Sequence, residues 1–168
     1  MAVKEVLLLG NPKLREKSSN IKSFIGEFGS NLKNLSDTLY YLQKEKQIGR
    51  AIAAPQIGWM KNVIFYNLPE RTFFMINPKI LSKSEIMISV WDSCFCFDVT
   101  FFIEIERHKE VKIQYLDKEG NKKIEEFNDD LSELVQHEID HLNGILATDR
   151  LKDPRKIIMR KEWERRFK

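Results

Sequence analysis

One pentapeptide constrains this chain more than any other stretch: His137-Glu138-Ile139-Asp140-His141. Side chains four residues apart lie on one face of an α-helix, so both imidazoles can reach a single cation while Glu138 flanks its open side. That is the pattern of a hydrolytic metal site. The competing reading is a helix that happens to carry two surface histidines. Only three histidines occur in the whole chain, and two of them stand here, which favours ligation.

The rest of the pattern predicts what must surround that helix. Phe28, Leu32, Leu35, Leu39 and Leu42 recur at spacings of four and three, which predicts a long N-terminal amphipathic helix from near Ser23 to Lys46. Beyond residue 60 the periodicity changes to short β-branched and aromatic runs at Asn62–Asn67, Thr72–Leu81, Glu85–Trp91, Phe97–Ile105, Glu110–Leu116 and Lys122–Phe127. Asp117-Lys118-Glu119-Gly120-Asn121 joins the last two as a hairpin turn. Asp129-Asp130 then opens the histidine helix, with Asp130 and Glu133 spaced as a capping box, and Gly144 closes it. Asp153-Pro154 starts a C-terminal helix whose stripe is Met159, Trp163 and Phe167. Helix, antiparallel strands, then helices make the class α+β, and residues 1–168 are expected to form one domain.

Charge and cysteine content narrow the setting. The net charge of +3 is concentrated at the end, because Lys152 to Lys168 holds eight basic against three acidic residues. The outward face of the last helix is therefore a solvated surface or a contact for an RNA-rich partner. No apolar run is long enough to span a bilayer and no secretory leader is evident, so a cytoplasmic protein is expected, with neither membrane nor DNA as a partner. Two cysteines only two positions apart make no disulfide framework and suit a reduced compartment.

Two histidines leave a tetrahedral cation short of ligands, and catalytic sites usually take three from the protein. Cys94 and Cys96, in Trp91-Asp92-Ser93-Cys94-Phe95-Cys96-Phe97, are the available soft donors. A closed site using both cysteines and both histidines is the rival to a catalytic one. In an extended strand those cysteines stand about 6.7 Å apart at Cα, so one sulfur is expected to ligate and the other not. A closed site would also leave Glu138 without a task.

Three segments in this order, Gly49-Arg50-Ala51-Ile52-Ala53-Ala54-Pro55-Gln56-Ile57-Gly58, then Trp91 to Cys96, then Gln136-His137-Glu138-Ile139-Asp140-His141-Leu142-Asn143-Gly144, resemble the motifs of peptide deformylases, as does Asn11-Pro12-Lys13-Leu14-Arg15 near the start. The resemblance implies antiparallel sheets around a central metal-bearing helix. It implies hydrolysis of the N-formyl group from nascent polypeptides with release of formate. It makes Cys94, His137 and His141 the ligands, Glu138 the acid–base group, and the Gln56 side chain with the Phe95 backbone N–H the donors to the developing oxyanion. Ferrous iron is the first expectation for the metal and zinc the second, with nickel and cobalt not excluded. Asp140 reads as either a residue orienting a ligand or a surface carboxylate, and His108 as an exposed loop histidine.

Several positions depart from the family pattern. Ser93 and Phe95 replace a glycine and a leucine beside the cysteine, Ala51 replaces a glycine, and Arg50 and Glu133 stand where apolar residues usually line the pocket for the methionine side chain. Arg50 and Glu133 are expected to pair across that pocket, within about 8 Å, because either charge alone would be poorly compensated. These departures keep open an amidase for a different N-acyl substrate, or a weakly active relative that only binds metal or nascent chains. A zinc endopeptidase is disfavoured because no histidine follows His141.

Overall fold

A computed structural model of the chain describes residues 2–167. In chain order its elements are α1 (Phe28–Lys46), β1 (Ala51–Ala53), β2 (Val63–Asn67), β3 (Thr72–Lys83), β4 (Met87–Asp92), β5 (Phe101–His108), β6 (Glu110–Leu116), β7 (Lys122–Asn128), α2 (Asp129–Leu142), β8 (Ile157–Met159) and α3 (Arg160–Phe167). Strands β1-β2-β3-β6-β7 form one antiparallel sheet and β4-β5-β8 a second.

Strands β1 and β2 and the first half of β3 are covered on both faces, and the two-residue alternation assigns each side its helix. Ile52, Val63, Phe65 and Ile76 point to the stripe Phe28, Leu32, Leu35, Leu39 and Leu42 of α1. Ala51, Ala53, Ile64, Tyr66 and Met75 point the other way, to Leu134, Val135, Ile139 and Leu142 of α2. Helix α2 is thus covered by the large sheet along its apolar stripe, and it turns His137, Asp140 and His141 toward the small one. Those three residues are buried.

Four local expectations need correction. Helix α1 starts at Phe28 and not near Ser23, because the chain before it is bent and Gly26 takes φ +69°, which ends any helical continuation. The strand expected over Phe97–Ile105 starts four residues later and runs to His108. Phe95–Phe97 form a 3-10 turn, Asp98 and Val99 both have positive φ, and β5 begins at Phe101. Asp153-Pro154 opens only a short 3-10 turn, capped by the Asp153 carboxylate. The next three residues then pair with β5, and the C-terminal helix begins at Arg160. Trp163 packs on Phe102 and Phe167, whereas Met159 is exposed. Finally, His108 lies at the end of β5, half-buried, with Nδ1 2.8 Å from the Ser84 carbonyl oxygen.

The hairpin forms as expected: the Asp117 carboxylate accepts from the backbone N–H groups of Glu119 and Asn121, and Gly120 supplies φ +86°. Among the described residues no helix is long and apolar enough to cross a membrane.

Candidate metal centre

Helix geometry puts His137 and His141 on the same face, and their Nε2 atoms lie 3.2 Å apart. Cys94 Sγ, delivered from the end of β4, lies 3.3 Å from His141 Nε2. Donors bound tetrahedrally at about 2.0–2.3 Å from one ion are about 3.3–3.8 Å apart, so both spacings suit atoms that share a cation. The donor set also has the right chemistry, one thiol and two imidazoles, all buried.

His137 is oriented by a second carboxylate. Its Nδ1 lies 2.9 Å from Asp92, which leaves Nε2 for a cation. Burial alone would lower the His137 pKa, but the Asp92 carboxylate lifts it to about 10, so a cation must displace a proton there. His141 goes the other way, held well below its usual value by burial and then by His137.

Asp92 is itself held. Arg107, only 1% exposed, places Nη2 3.0 Å from Asp92 Oδ2 and Nη1 against Asp140. Arg150 closes the far side of Asp140. Asp140 is therefore no surface carboxylate; it belongs to the chain Arg150–Asp140–Arg107–Asp92–His137. Neither Arg107 nor Asp92 stands out as a site residue in the sequence, although one signal was available. Ile103, Ile105 and Arg107 alternate inward along β5, and all three are buried, so a cation at the third inward position calls for buried anions.

Glu138 is 3% exposed, and its Oε2 has no hydrogen-bond partner among the described residues. Burial pushes its pKa up to about 7. Gln56 sits in the 3-10 turn Ala54–Ile57. Its Oε1 accepts from the Ala53 N–H at 2.7 Å, and its Nε2 faces Cys94 and Cys96 at 3.5 Å from each sulfur. Gln56 thus satisfies a backbone group and also aims a donor at the centre. The 3-10 turn after Cys94 overturns the extended geometry on which the separation of the two sulfurs was argued: Cys94 Sγ, Cys96 Sγ and a His141 ring nitrogen all lie within 4.8 Å of one another.

Beside the centre opens a cleft of about 320 Å³, lined in part by Arg50, Trp91, Phe102, Glu133, Glu138 and Trp163. The Phe95 ring narrows it and packs on Gly49, where a Cβ would come within 2.1 Å of Phe95 Cζ. Arg50 Nη2 lies 3.8 Å from Glu133 Oε2, so the expected pair exists. The closer partner, however, is Asp130, which takes both terminal nitrogens of Arg50. The anticipated capping box is absent because α2 begins at Asp129, which puts Asp130 inside the first turn and gives the N-cap position to Asn128, whose side chain makes no cap hydrogen bond. Glu133 is half-buried, and that burial together with the neighbouring Asp92 raises its pKa to about 7.

Comparison with known proteins gives one answer. A sequence profile of the family described as Polypeptide deformylase matches residues 3–157. A peptide deformylase of Pseudothermotoga lettingae is 35% identical over 160 residues, covering 95% of this chain and 90% of that protein. The crystal structure of the Thermotoga maritima peptide deformylase superposes with a TM-score of 0.83 at 27% identity, over 91% of this chain and 100% of that one. A class I type b peptide deformylase from Acinetobacter baumannii, solved with Met-Ala-Ser bound, superposes with a TM-score of 0.77 at 29% identity, over 89% and 99% of the two chains. With its fold, its buried donors and these likenesses in agreement, the chain belongs to the polypeptide deformylase family of metal-dependent hydrolases.

Proposed function

We infer that this chain, acting through one domain of residues 1–168, hydrolyses the N-formyl group of nascent polypeptides in the cytoplasm and releases formate. The observation that carries this is the 3.2 Å spacing of the His137 and His141 donors and the 3.3 Å spacing of His141 and Cys94, beside a buried carboxylate oxygen that has no hydrogen-bond partner among the described residues. Cys94, His137 and His141 would hold the cation, ferrous iron first and zinc second, with the thiolate favouring soft ions. When bound, that ion supplies Lewis acidity at the formyl carbonyl and lowers the pKa of water.

The remaining work falls to side chains. Glu138 Oε2 takes a proton from the attacking water and returns it to the departing amine nitrogen, a transfer suited to a group whose pKa lies near 7. The Gln56 amide and the Phe95 N–H donate to the oxygen on which negative charge develops. The cleft takes the first side chain of the peptide, and the Acinetobacter relative that binds Met-Ala-Ser carries a peptide of the kind deformylation leaves.

Formate release from a formyl-methionyl peptide, measured anaerobically on iron- and zinc-loaded protein, tests the reading. Turnover with either metal and none after chelation is expected; no formate from metal-replete protein rejects it, and hydrolysis of a different N-acyl peptide instead would favour the related amidase. We also propose that the basic tail touches the ribosome, since Lys161, Arg165 and Arg166 lie on exposed or partly exposed positions of α3. Co-sedimentation with ribosomes that fades as salt rises is expected, and none at low salt would exclude it.

A further inference from the structure

The cleft has a wall that neither the metal centre nor the matched family region accounts for. The family profile ends at residue 157, yet Arg160 and Trp163 of α3 line the same cleft as Cys94, His137 and Glu138. Helix α3 is fixed to that rim. The Arg160 backbone N–H donates to the Thr100 carbonyl at 2.9 Å and its Nε to the Val99 carbonyl at 2.6 Å, while its guanidinium carbon lies 4.7 Å from the centre of the Phe102 ring. One turn on, Trp163 stacks on Phe102 with ring centres 4.5 Å apart, and Phe167 bridges Trp163 to Trp91 at 5.4 and 5.8 Å. Trp91, Phe102 and Trp163 are only half-buried, and all three line the cleft.

Aromatic faces left open beside a reactive centre are the usual make-up of a ligand subsite. Trp163 Nε1 is cut off from solvent and has no hydrogen-bond partner among the described residues, a donor left unused against stability. The depression also continues past this wall. A second hollow, of about 420 Å³, shares Ile48, Val99 and Arg160 with the cleft and reaches Lys46. An extended chain advances about 3.3 Å per residue, so the groove has room for more of a peptide than its first side chain.

We propose that the Phe102–Trp163 pair is a subsite for the side chains that follow the first residue of the peptide, and that it selects apolar and aromatic side chains there. The occupant is taken from the deformylase reading; the aromatic wall exists without it. The two faces of α3 then have separate tasks: Trp163 and Phe167 turn to Phe102 and Trp91, whereas Lys161 and Arg165 stay exposed.

The test compares formyl-Met-Ala-Ser, formyl-Met-Phe-Ser and formyl-Met-Ala-Phe as substrates of the zinc-loaded protein, and measures Kd by calorimetry for the same three peptides without the formyl group. At least one phenylalanine peptide is expected to gain about 3- to 10-fold over Met-Ala-Ser in kcat/KM and in Kd, through KM and not kcat, which is the return on half-burying a phenylalanine side chain. Trp163→Ala should bring that ratio close to one. Equal values for all three peptides in the unaltered protein overturn the proposal, as does a preference that survives Trp163→Ala. Should that variant fail to fold, nuclear Overhauser contacts between the bound phenylalanine ring and the Trp163 indole decide in the unaltered protein: they are expected, and their absence rejects the subsite. Formate keeps the two readings apart. None from any peptide, with a Kd preference that depends on Trp163, sinks deformylation and leaves the subsite, whereas formate released equally well from all three does the reverse.

Discussion

Replacing Glu138 with glutamine should lower the kcat for formate release by about 10²- to 10⁴-fold while the protein keeps its metal and its fold. Glutamine matches the shape of glutamate but cannot accept the proton of the attacking water, so the loss falls on the chemical step. The ligating atoms belong to other residues, so metal content measured by elemental analysis should stay at the unaltered level. Stability should hold or rise. Glu138 is buried, burial raises its pKa to about 7, and its Oε2 has no hydrogen-bond partner among the described residues, so the fold strips the carboxylate of hydration without replacing it at that oxygen. A neutral amide removes that charge. A thermal midpoint unchanged or raised, together with collapsed turnover, is the signature of a group retained for chemistry at the expense of stability. A variant that kept more than a tenth of the activity would exclude Glu138 from proton transfer, and one that lost its metal would show that the carboxylate serves the coordination instead.

What could be read from the sequence follows the range of the forces involved. The α1 stripe and the α2 histidine pair are legible because helical periodicity is local, and the Asp117–Asn121 turn because asparagine, aspartate and glycine carry their own turn chemistry. The small sheet is less so. Strand β8 is three residues long and exists only because it pairs with β5, more than fifty positions earlier. The turn that carries Cys96 leads into Asp98 and Val99 at φ of 52° and 55°, and a β-branched residue rarely takes that conformation, so no propensity argument finds it. Arg50 and Glu133 were legible as two departures of opposite sign. Asp130, which takes the larger share of Arg50, was instead assigned to a cap, since local spacing favours that use and only the fold brings Arg50 within reach.

The largest stability effect is expected at Arg107, which nothing in the local sequence marks as part of the centre. It is buried, and its two terminal nitrogens serve two buried carboxylates, Asp92 and Asp140. Arg107→Met fills similar space without charge and leaves Asp92 uncompensated except by His137. Breaking a buried ion pair from one side costs about 3–5 kcal/mol, which for a chain of this size lowers the thermal midpoint by roughly 6–20 °C. Arg107→Lys should recover part of this and not all, because a single ammonium cannot span both carboxylates as a planar fork does. The damage should also reach the metal. With Arg107 gone, Asp92 is free to rotate from His137 Nδ1, and loss of such an orienting partner weakens metal binding by about 10- to 100-fold. A competitive chelator titration at a temperature well below the variant's midpoint separates this from unfolding. If Arg107→Met binds zinc as tightly as the unaltered protein and melts with it, the chain from Arg150 to His137 is packing alone and does not position the ligand.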